Sequence, residues 1–531
     1  MTIELTKIQK ESIEHDSGDL LIKGMPGAGK SVVLMQRAIR LNKKANEEGR
    51  PRKILVLTFT NTLVKYTREL VSMTGLDPCM IEISTIDKCC GEFYRSVANR
   101  RFIKIAEKRD RKAYIDQAIQ NDLNKRKSRH RFHDIEVEFW VDEFLWIKQK
   151  NISSSSKYVD TERTGRGGKV RMTRSDKEVA YAFFEEYSSI MKSKGRLDWE
   201  DLYIFLLKNA NKIPENMKYD YVMLDEAQDL SEVKIKFAKL IAKESITIAA
   251  DKAQKIYNTS FSWKELGIDI HGRSSKTLDK SFRSTKQIVL LAESLLEVNR
   301  MMQEDQSEYT KPVIPERKGN VPSVIQCKDA AAEQDATIEI IKKFLIDDKN
   351  VIGILYRSYS EFILINRWIR AAGLTCQEIK KNTAWSLSTP GIKLCTLHSA
   401  KGLEFDTVII PRFEGNVFPL ASVVKGADEE QLIDIRAQER SLLYVGMTRA
   451  RFELFLIYSG PHPIFLDNFE PEYYNYISSD GSSLPKHTRI ITDKPPVDQV
   501  KAKQVQDAKE QKSIDSKQSV MSAARKLFKR P

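Results

Sequence analysis

The sequence predicts an α/β protein that contains two parallel sheets, with a helical insertion in the first of them. Short apolar segments alternate with helical patterns such as SVVLMQRAIRLNKK, which is typical of parallel sheets covered by helices. Enough apolar segments occur for two sheet domains, one before about residue 270 and one after it. A charged, helix-like stretch over residues 95–194 interrupts the first domain and predicts the insertion.

The predicted strands are almost wholly apolar, which indicates burial on both faces of a sheet. They are the strand within GDLLIKGMPGAGKS (18–31), RKILVLT (52–58), YVMLD (221–225), SITIAA (245–250), VIGILY (351–356), IKLCTL (392–397) and TVIIP (407–411). Inside the helical stretch, NISSSSKYVDTERTGRGGK (151–169) is rich in Ser, Gly and Arg and predicts a mobile basic loop. The polar segment from about Asp493 onwards predicts a disordered or loosely helical end.

The composition argues against several classes of protein. Of the 531 residues, 41% are hydrophobic, which suffices for sizeable cores. The chain has no run of about 18 apolar residues that could span a membrane, and MTIELTKIQK lacks a signal-peptide pattern. The cysteines form no C-x-x-C pair, so we expect a cytoplasmic protein with reduced thiols and no metal cluster. They are Cys79, Cys89, Cys90, Cys327, Cys376 and Cys395.

The positive charge is concentrated in two segments. The formal net charge is +14 and the isoelectric point is about 9.2. Residues 95–175 contain 21 Lys and Arg against 11 Asp and Glu, and residues 494–531 contain 10 against 4. The rest of the chain is close to neutral. This distribution favours a polyanionic partner that contacts those two segments.

A nucleotide site is predicted by the residues from Gly24 to Ser31, which fit the pattern G-x-x-x-x-G-K-[ST] between a strand and a helix. Gly24, Gly27 and Gly29 allow backbone N–H groups to surround phosphate oxygens at a helix N-terminus. Lys30 would reach the β- and γ-phosphates of ATP, and Ser31 would coordinate Mg²⁺. A chance glycine-rich turn is the alternative, and the strand and helix on either side argue against it.

A second acidic motif, Asp225-Glu226-Ala227-Gln228-Asp229, follows the predicted strand YVMLD. An acid at such a strand end can coordinate Mg²⁺, and a neighbouring acid can deprotonate water. We assign Asp225 to Mg²⁺ and Glu226 to the general base. The alternative is an acidic turn that caps the following helical pattern DLSEVKIKFAKL, and the presence of the glycine-rich loop favours the catalytic assignment.

Nine motifs in this order resemble superfamily 1 helicases of the UvrD/Rep/PcrA type, over most of residues 1–460. Their number, order and spacing make the resemblance specific, although each short motif could occur by chance. They are Gln9 in LTKIQ, the glycine-rich loop, LTFTN (57–61), LDEAQD (224–229), ADKAQKIY (250–257), LDKSFRST (278–285), LYRS (355–358), TLHSAKGLEF (396–405) and ERSLLYVGMTRA (439–450).

The resemblance implies two RecA-like domains that bind ATP between them, with a helical insertion called 1B. The segment GRLDWEDLYIFLLK (195–208) is similar to the one that follows 1B in the family. The implied divisions are domain 1A at 1–94 and 195–270, 1B at 95–194, domain 2A at 271–462, and a C-terminal extension at 463–531 that is basic and disordered after 493.

The resemblance also implies contacts with the base and sugar of ATP. Gln9 would contact adenine, and Phe282 would stack on it at a position where the family usually has Tyr. That difference keeps the ring and removes only the hydroxyl. Glu404 would contact the ribose, although a purely structural role for this residue is the alternative.

Three further residues are implied to act on the phosphates. Gln254 would sense the γ-phosphate and link it to the bound strand. Arg283 and Arg449 would act as arginine fingers from the second domain, stabilising charge on the transferring phosphoryl group. For both arginines the alternative is an ordinary surface ion pair.

Single-stranded nucleic acid is expected to contact Phe59, Thr85, Tyr257, Trp263 and His398. Strand binding without sequence preference combines cationic contacts to the backbone with aromatic faces for the bases. Each aromatic residue could instead pack in a core, and His398 could simply brace its loop. Trp263 lies outside the usual spacing of the family.

The chain departs from the family in three respects. The family often has His where this chain has Asp87, which would repel phosphate unless it is turned away, and often has Arg where this chain has Val32. In addition, about 17 residues separate Leu374 from the strand at 392, where the family usually inserts a large domain called 2B. We therefore expect 2B to be missing.

We expect an ATP-dependent single-stranded DNA translocase and helicase that uses ATP and Mg²⁺, with 3′→5′ polarity implied by the resemblance alone. We expect it to bind single strands and their junctions with duplex, and we expect no membrane partner. The basic residues of 157–174 and of the C-terminal tail would strengthen binding to the nucleic acid. Without 2B the monomer would not be self-inhibited. The alternatives are a translocase that displaces proteins or follows RNA, an ATP-gated subunit that controls a nuclease or another effector, for example in anti-phage defence, and a P-loop protein that is not a motor.

Overall fold

The structure is a computed structural model that describes most of the chain. The chain divides into two compact units, residues 1–485 and 486–531, and every described residue lies in the first. Phe59, Gln254, Tyr257 and Phe282 lie outside the described residues, as does the segment from Asp493 onwards. The described residues are 5–16, 18–24, 27–58, 64, 68, 81–126, 128–161, 163, 170, 172–250, 263, 266, 268, 274–278, 283–297, 314–380, 386–387, 389–425, 427 and 429–479.

Helices and strands alternate along much of the described chain. The strands are β1 (Leu20–Gly24), β2 (Ile54–Thr58), β3 (Ile81–Thr85), β4 (Tyr219–Leu224), β5 (Ala242–Ala250), β6 (Ser275–Leu278), β7 (Ser323–Cys327), β8 (Val351–Tyr356), β9 (Cys376–Glu378), β10 (Gly391–Thr396), β11 (Phe405–Ile410), β12 (Ala450–Tyr458) and β13 (Asn475–Ser479). The α-helices are α1 (Lys7–Ile13), α2 (Lys30–Glu47), α3 (Ile86–Val97), α4 (Lys108–Lys125), α5 (Val137–Gln149), α6 (Ser155–Asp160), α7 (Arg174–Ser193), α8 (Trp199–Lys208), α9 (Glu232–Leu240), α10 (Lys286–Glu297), α11 (Ala330–Leu345), α12 (Tyr359–Ala371), α13 (Ala421–Val424) and α14 (Glu429–Met447). Short 3₁₀ helices occur at Arg131–Asp134, Ala210–Lys212, Glu215–Met217, Ala227–Asp229, Leu466–Asn468 and Pro471–Tyr473.

The first sheet is parallel, with the described strands in the order β3-β2-β4-β5-β1-β6. Its two faces follow from the alternation of side chains along each strand. In β2, Leu55 and Leu57 pack towards α3, α8 and α9, whereas Ile54 and Val56 pack towards α1 and α2. Strand β6 pairs with β1, so this sheet extends beyond residue 270, where the sequence placed the end of the domain.

The second sheet is also parallel, with the described strands in the order β13-β7-β12-β11-β8-β10-β9. Helices α10 and α14 cover one face, and α11 and α12 cover the other. Strand β13 pairs with β7, so the sheet includes residues beyond the predicted boundary at 462. Residues 379–390 alone separate β9 from β10, which makes the connection after α12 short.

These two sheets with their covering helices confirm the predicted α/β fold class. In both sheets the described strands pair in parallel, and helices pack on both faces. Parallel strands of this kind end at a common edge, which is where polar side chains on the following loops meet. None of the described helices has the length and apolar run that a membrane span requires.

Residues 106–196 form a helical module that leaves and rejoins the first sheet domain at one place. The Ala106 N–H donates to the Leu197 carbonyl at 2.9 Å, and the Leu197 N–H donates to the Lys104 carbonyl at 3.0 Å. Helices α4, α5, α6 and α7 lie between these two segments and share an aromatic core. Its buried rings include those of Phe132, Trp140, Phe144, Phe183 and Tyr187.

The prediction of a loop over residues 151–169 is wrong for residues 155–160, which form α6. Ser154 caps this helix, and Tyr158 is buried in the aromatic core. Beyond the helix, Arg163 donates two N–H groups to the buried Glu143 carboxylate, at 3.0 and 2.6 Å. Arg163 therefore neutralises an internal acid.

A buried ionic cluster joins the helical module to α8 of the first sheet domain. The Lys148 ammonium, at the end of α5, donates to Asp198 at 2.6 Å and to Asp201 at 2.8 Å. The Tyr187 hydroxyl also donates to Asp198, at 2.8 Å. Lys148 is about 4% exposed, so its charge is compensated almost entirely by these carboxylates.

Replacing Lys148 with Met should lower the free energy of unfolding by about 3–5 kcal/mol, because two carboxylates would lose their buried cation. Chemical denaturation followed by circular dichroism measures the change. Lys125→Met is the matched control, since Lys125 is 67% exposed beside Glu186 and should cost less than about 1 kcal/mol. Equal effects of the two substitutions would contradict the prediction.

Candidate nucleotide site and strand contacts

The glycine-rich loop connects β1 to α2 at the carboxyl edge of the first sheet. Gly29 caps α2 with φ of 80°, a left-handed conformation that favours glycine, and an added Cβ there would lie 2.8 Å from the Gln9 amide. The Lys30 ammonium turns back over the loop and donates to the Gly24 carbonyl at 2.7 Å. The loop and the lysine thus surround the space where phosphates bind in such motifs.

Asp225 directly follows β4, next to the glycine-rich loop. Its N–H donates to the Leu57 carbonyl at 3.0 Å, and its carboxylate accepts a hydrogen bond from the Ser31 hydroxyl at 2.6 Å. Burial and the neighbouring charge of Glu226 raise the pKa of Asp225, against the lowering effects of Ser31 and Lys30. A cation at this position would stabilise the ionised carboxylate.

Glu226 adopts a left-handed backbone conformation, with φ of 53° and ψ of 39°, which is uncommon for a residue with a side chain. Its carboxylate is buried and accepts a hydrogen bond from the Gln228 amide at 2.6 Å. Burial alone would raise the pKa of Glu226, but the charges of Lys401, Lys30 and Arg449 outweigh burial and lower it. Glu226 is therefore held ionised beside an acid whose pKa is raised.

Lys401 extends from the loop after β10 in the second sheet to the acidic motif of the first. Its ammonium lies 2.5 Å from an Asp229 carboxylate oxygen and 3.5 Å from a Glu226 oxygen. All three side chains are buried. Sequence reasoning missed Lys401 as a site residue, although it belongs to the motif TLHSAKGLEF, whose lysine was the available signal.

Arg283 and Glu404, both predicted to contact ATP, form an ion pair with each other. Arg283 Nη2 lies 2.8 Å from Glu404 Oε1, and the arginine side chain is 12% exposed. Burial raises the pKa of Glu404, but the charge and hydrogen bond of Arg283 overcome this effect and lower it. The Glu404 side chain is 33% exposed, so the pair is only partly buried.

Arg449 is buried in the short turn between α14 and β12. Its guanidinium donates to the Val445 carbonyl at 2.9 Å and lies near the Leu403 carbonyl at 3.4 Å. Its charge contributes to the lowered pKa values of both Glu226 and Glu404. The second sheet therefore supplies Arg449 and Lys401 to the surroundings of the acidic motif on the first.

Gln9, the predicted adenine contact, makes two hydrogen bonds within the protein. Its amide donates to the Ala28 carbonyl of the glycine-rich loop at 3.0 Å. Its carbonyl oxygen accepts from the Thr6 N–H at 2.9 Å and so completes the cap of α1. These contacts hold α1 against the loop.

The ligands present are suited to Mg²⁺ and a triphosphate. The Ser31 hydroxyl and the Asp225 carboxylate are adjacent oxygen ligands of the type that Mg²⁺ prefers, alongside phosphate oxygens and water. Lys30 and the amides around Gly29 supply the complementary positive potential for phosphates. Ser31 and Asp225 would hold the cation.

The described residues predicted to contact a strand have different surroundings. Thr85 is buried and caps α3 by accepting a hydrogen bond from the Lys88 N–H at 3.3 Å. Trp263 packs partly buried against the core below α3, α8 and α9. His398 is half-buried in the loop after β10, where burial and the charge of Arg357 lower its pKa to about 4.

Taken together, the fold and this site define a P-loop nucleotide-binding protein in which a second parallel sheet completes the site on the first. Two family models match the chain. The UvrD/REP helicase N-terminal domain matches residues 5–264, and the UvrD-like helicase C-terminal domain matches residues 374–460. The chain belongs to the UvrD-like helicase family, as the motifs predicted.

Relatives with curated descriptions are longer than this chain. A probable DNA helicase II homolog of Mycoplasma capricolum subsp. capricolum is 23% identical over 473 residues, which cover 83% of this chain and 62% of the relative. The ATP-dependent DNA helicase PcrA of Staphylococcus epidermidis is 23% identical over 382 residues, 68% of this chain and 47% of the relative. The chain thus spans about half to three fifths of their length. A solved C-terminal domain of a possible DNA helicase from Lactobacillus plantarum WCFS1 is similar with a TM-score of 0.28 and 23% identity, over 37% of this chain and 98% of that domain.

His398 should make the protein less stable in acid. Its folded pKa of about 4 lies below the ordinary value of 6.5, so protonation favours the unfolded state. The contribution of His398 to the free energy of unfolding should therefore fall as the pH decreases from about 6.5, and it should level off below about 4. Urea unfolding of wild type and His398→Gln over this range measures it, and we expect a shallower decline for the variant. Parallel curves would contradict the assignment.

Proposed function

We propose that this chain is an ATP-hydrolysing motor that moves along single-stranded DNA in the 3′→5′ direction. The observation that carries the proposal is the meeting of Lys401 from the second sheet with Glu226 and Asp229 on the first. Because the ion pair crosses between the sheets, rearrangement at the phosphates can change how the sheets sit against each other. Such coupling is what converts hydrolysis into movement.

The roles proposed for the described residues follow from their positions. Lys30 and the amides of the glycine-rich loop bind the β- and γ-phosphates, while Ser31 and Asp225 hold Mg²⁺. The bound cation supplies positive charge that neutralises the β- and γ-phosphates. Glu226, which is ionised, accepts a proton from the water that attacks the γ-phosphorus, and ADP leaves.

Arg283 and Arg449 are proposed to stabilise the negative charge of the transferring phosphoryl group. Arg283 is held by Glu404, which we propose as the ribose contact, so this pair must rearrange for both residues to meet the nucleotide. Arg449 is already close enough to influence Glu226. Both arginines belong to the half of the chain that carries the second sheet, so hydrolysis would depend on its approach.

The short connection between β9 and β10 supports a second element of the proposal, the absence of a 2B domain. Residues 379–390 are too few to form a domain. We propose that a monomer of this chain is free of the self-inhibition that such a domain would impose. The helical module at 106–196 is proposed to correspond to 1B.

The motor should require Lys30 and Glu226. Lys30→Ala should lower ATP turnover at least about 100-fold because phosphate binding is lost, and Glu226→Gln should lower it similarly because proton transfer is lost. Single-stranded DNA should stimulate turnover by the wild type. Duplexes with a 3′ tail should be separated faster than those with a 5′ tail. Coupled-enzyme ATPase assays and stopped-flow unwinding with protein in excess measure these quantities.

Lys44→Ala is the matched control for this experiment, since Lys44 lies on the same helix as Lys30 and is 48% exposed beside Asp16. It should behave as wild type. A preference for the 5′ tail would overturn the proposed polarity, and equal stimulation by RNA would overturn the preference for DNA. Lys30-dependent turnover without any stimulation by single strands would overturn the motor and favour an ATP-gated partner subunit. Strong stimulation without strand separation would reject the uninhibited monomer.

Lys401 should set the acidic limb of the pH profile of ATP turnover. Glu226 must be ionised to accept a proton, and Lys401 is the largest of the charges that lower its pKa. In Lys401→Met that pKa should rise, so turnover should begin to fall at a higher pH as the medium is acidified. Turnover at saturating ATP, measured from about pH 5 to about pH 9, gives the shift.

Lys401→Arg retains the charge and is the control, with an acidic limb close to that of wild type. Because Lys401→Met leaves Asp229 buried without this cation, thermal melting must show that the variant is folded at the assay temperature. An equal loss of turnover at every pH would show that Lys401 only supports the structure and would reject its effect on Glu226.

A further inference from the structure

Asp87 holds a negative charge where the proposed motor needs to bind phosphates. It lies in the first turn of α3, two residues after Thr85, which the sequence predicts as a strand contact. The Asp87 side chain is 34% exposed, so it faces solvent in part. A strand that passes the start of α3 would therefore approach a carboxylate, which repels its backbone.

The Asp87 carboxylate is held by two side chains from neighbouring helices. The Lys234 ammonium of α9 lies 2.8 Å from Asp87 Oδ1, and the Tyr203 hydroxyl of α8 donates to the same oxygen at 2.6 Å. The Lys234 ammonium also lies 5.5 Å from the centre of the Tyr203 ring. Tyr203 is fully buried and Lys234 nearly so, which gives the ion pair one defined geometry.

Asp87 contacts Lys234 directly, and a second carboxylate lies near the same cation. A second acid, Glu200, is buried and interacts electrostatically with Lys234. Burial raises the pKa of Glu200 despite the nearby cation, which reduces its contribution as a counter-ion. Lys234 is thus a cation near the expected strand path whose field is offset in part by its ion pair with Asp87.

We propose that the Asp87–Lys234 ion pair limits the affinity of this protein for single-stranded nucleic acid, with Asp87 masking Lys234 from the strand's phosphates. The inference rests on the proposed function and adds a residue pair that sets binding strength. A motor must release each phosphate of the strand as it advances. A cation that is neutralised by a carboxylate binds phosphate more weakly than an exposed cation does. The pair would act on binding and not on the chemistry of hydrolysis, because neither residue belongs to the nucleotide site.

The two single substitutions should change binding in opposite directions. Asp87→Asn should tighten binding about threefold to tenfold, because the substitution removes a carboxylate that repels the phosphates and offsets the charge of Lys234. It should also steepen the plot of log affinity against log salt by up to about 0.7, the value for one added phosphate contact on a single strand. Lys234→Met should weaken binding by a similar factor, because Asp87 would then repel the strand. The double variant should bind close to wild type.

Fluorescence anisotropy with labelled oligo-dT, over a series of salt concentrations and without nucleotide, measures these affinities. Lys236→Met is the matched control, since Lys236 lies on the same helix and faces Glu232 at 3.4 Å. It should weaken binding less than Lys234→Met. Thermal melting and circular dichroism check that each variant is folded.

Opposite shifts with near-restoration in the double variant support the proposal. Weaker binding by both single variants would overturn it, because the pair would then only support the local structure. Unchanged binding by both would overturn it as well. Failure of the wild type to bind any single strand would overturn the proposed function together with this inference. Wild-type binding without opposite shifts would overturn the inference alone.

Discussion

The contact on which the proposed chemistry depends is the buried meeting of Lys401 with Glu226 and Asp229. It links the loop after β10 to the loop after β4, so the edges of both sheets face one site. Without this cation, two carboxylates of the first sheet would lie buried with less compensation, a costly arrangement. With it, Glu226 stays ionised despite burial. The same side chain therefore stabilises the arrangement of the sheets and the state of the proposed base.

Asp225 and Glu226 show how neighbouring acids acquire different properties from their surroundings. Both are buried, yet the pKa of Asp225 is raised and that of Glu226 is lowered. Asp225 faces a hydroxyl and the loop lysine, whereas Glu226 faces Lys401 and the charge of Arg449. The strained backbone at Glu226 turns the two side chains into these separate environments. These different environments suit the proposed metal ligand and the proposed base at adjacent positions.

Much of the fold and part of the site could be predicted because they depend on local patterns. The apolar strands β1, β2 and β8 and the spacing from Gly24 to Ser31 have short-range signatures. The ends of the sheets were harder, since β6 (Ser275–Leu278) and β13 (Asn475–Ser479) lack a continuous apolar run. The serines near α6 predicted a loop in place of this helix. The helix is stabilised by the burial of Tyr158 in a core of distant residues, which the local sequence does not show.

Contacts between distant segments could not be predicted from these patterns. Lys401 and Asp229 are far apart in sequence, and the ion pair of Arg283 with Glu404 depends on how loops of one domain fold together. The resemblance predicted Arg283, Glu404 and Arg449 as site residues. It did not predict that Arg283 and Glu404 form an ion pair with each other. The sequence predicts that Asp87 repels phosphate, but it does not predict its two partners, which lie on helices more than a hundred residues further along the chain.

The backbone bridge between Ile105 and Leu197 has a consequence for the evolution of the chain. Since the helical module begins and ends at adjacent backbone positions, the first sheet domain can be followed from α3 to α8 without a gap. A segment with such neighbouring ends can be gained, lost or exchanged as a cassette, without rethreading the strands on either side. The module can therefore change in evolution independently of the nucleotide site. Any other module inserted at this place would have to reproduce the Lys148 cluster.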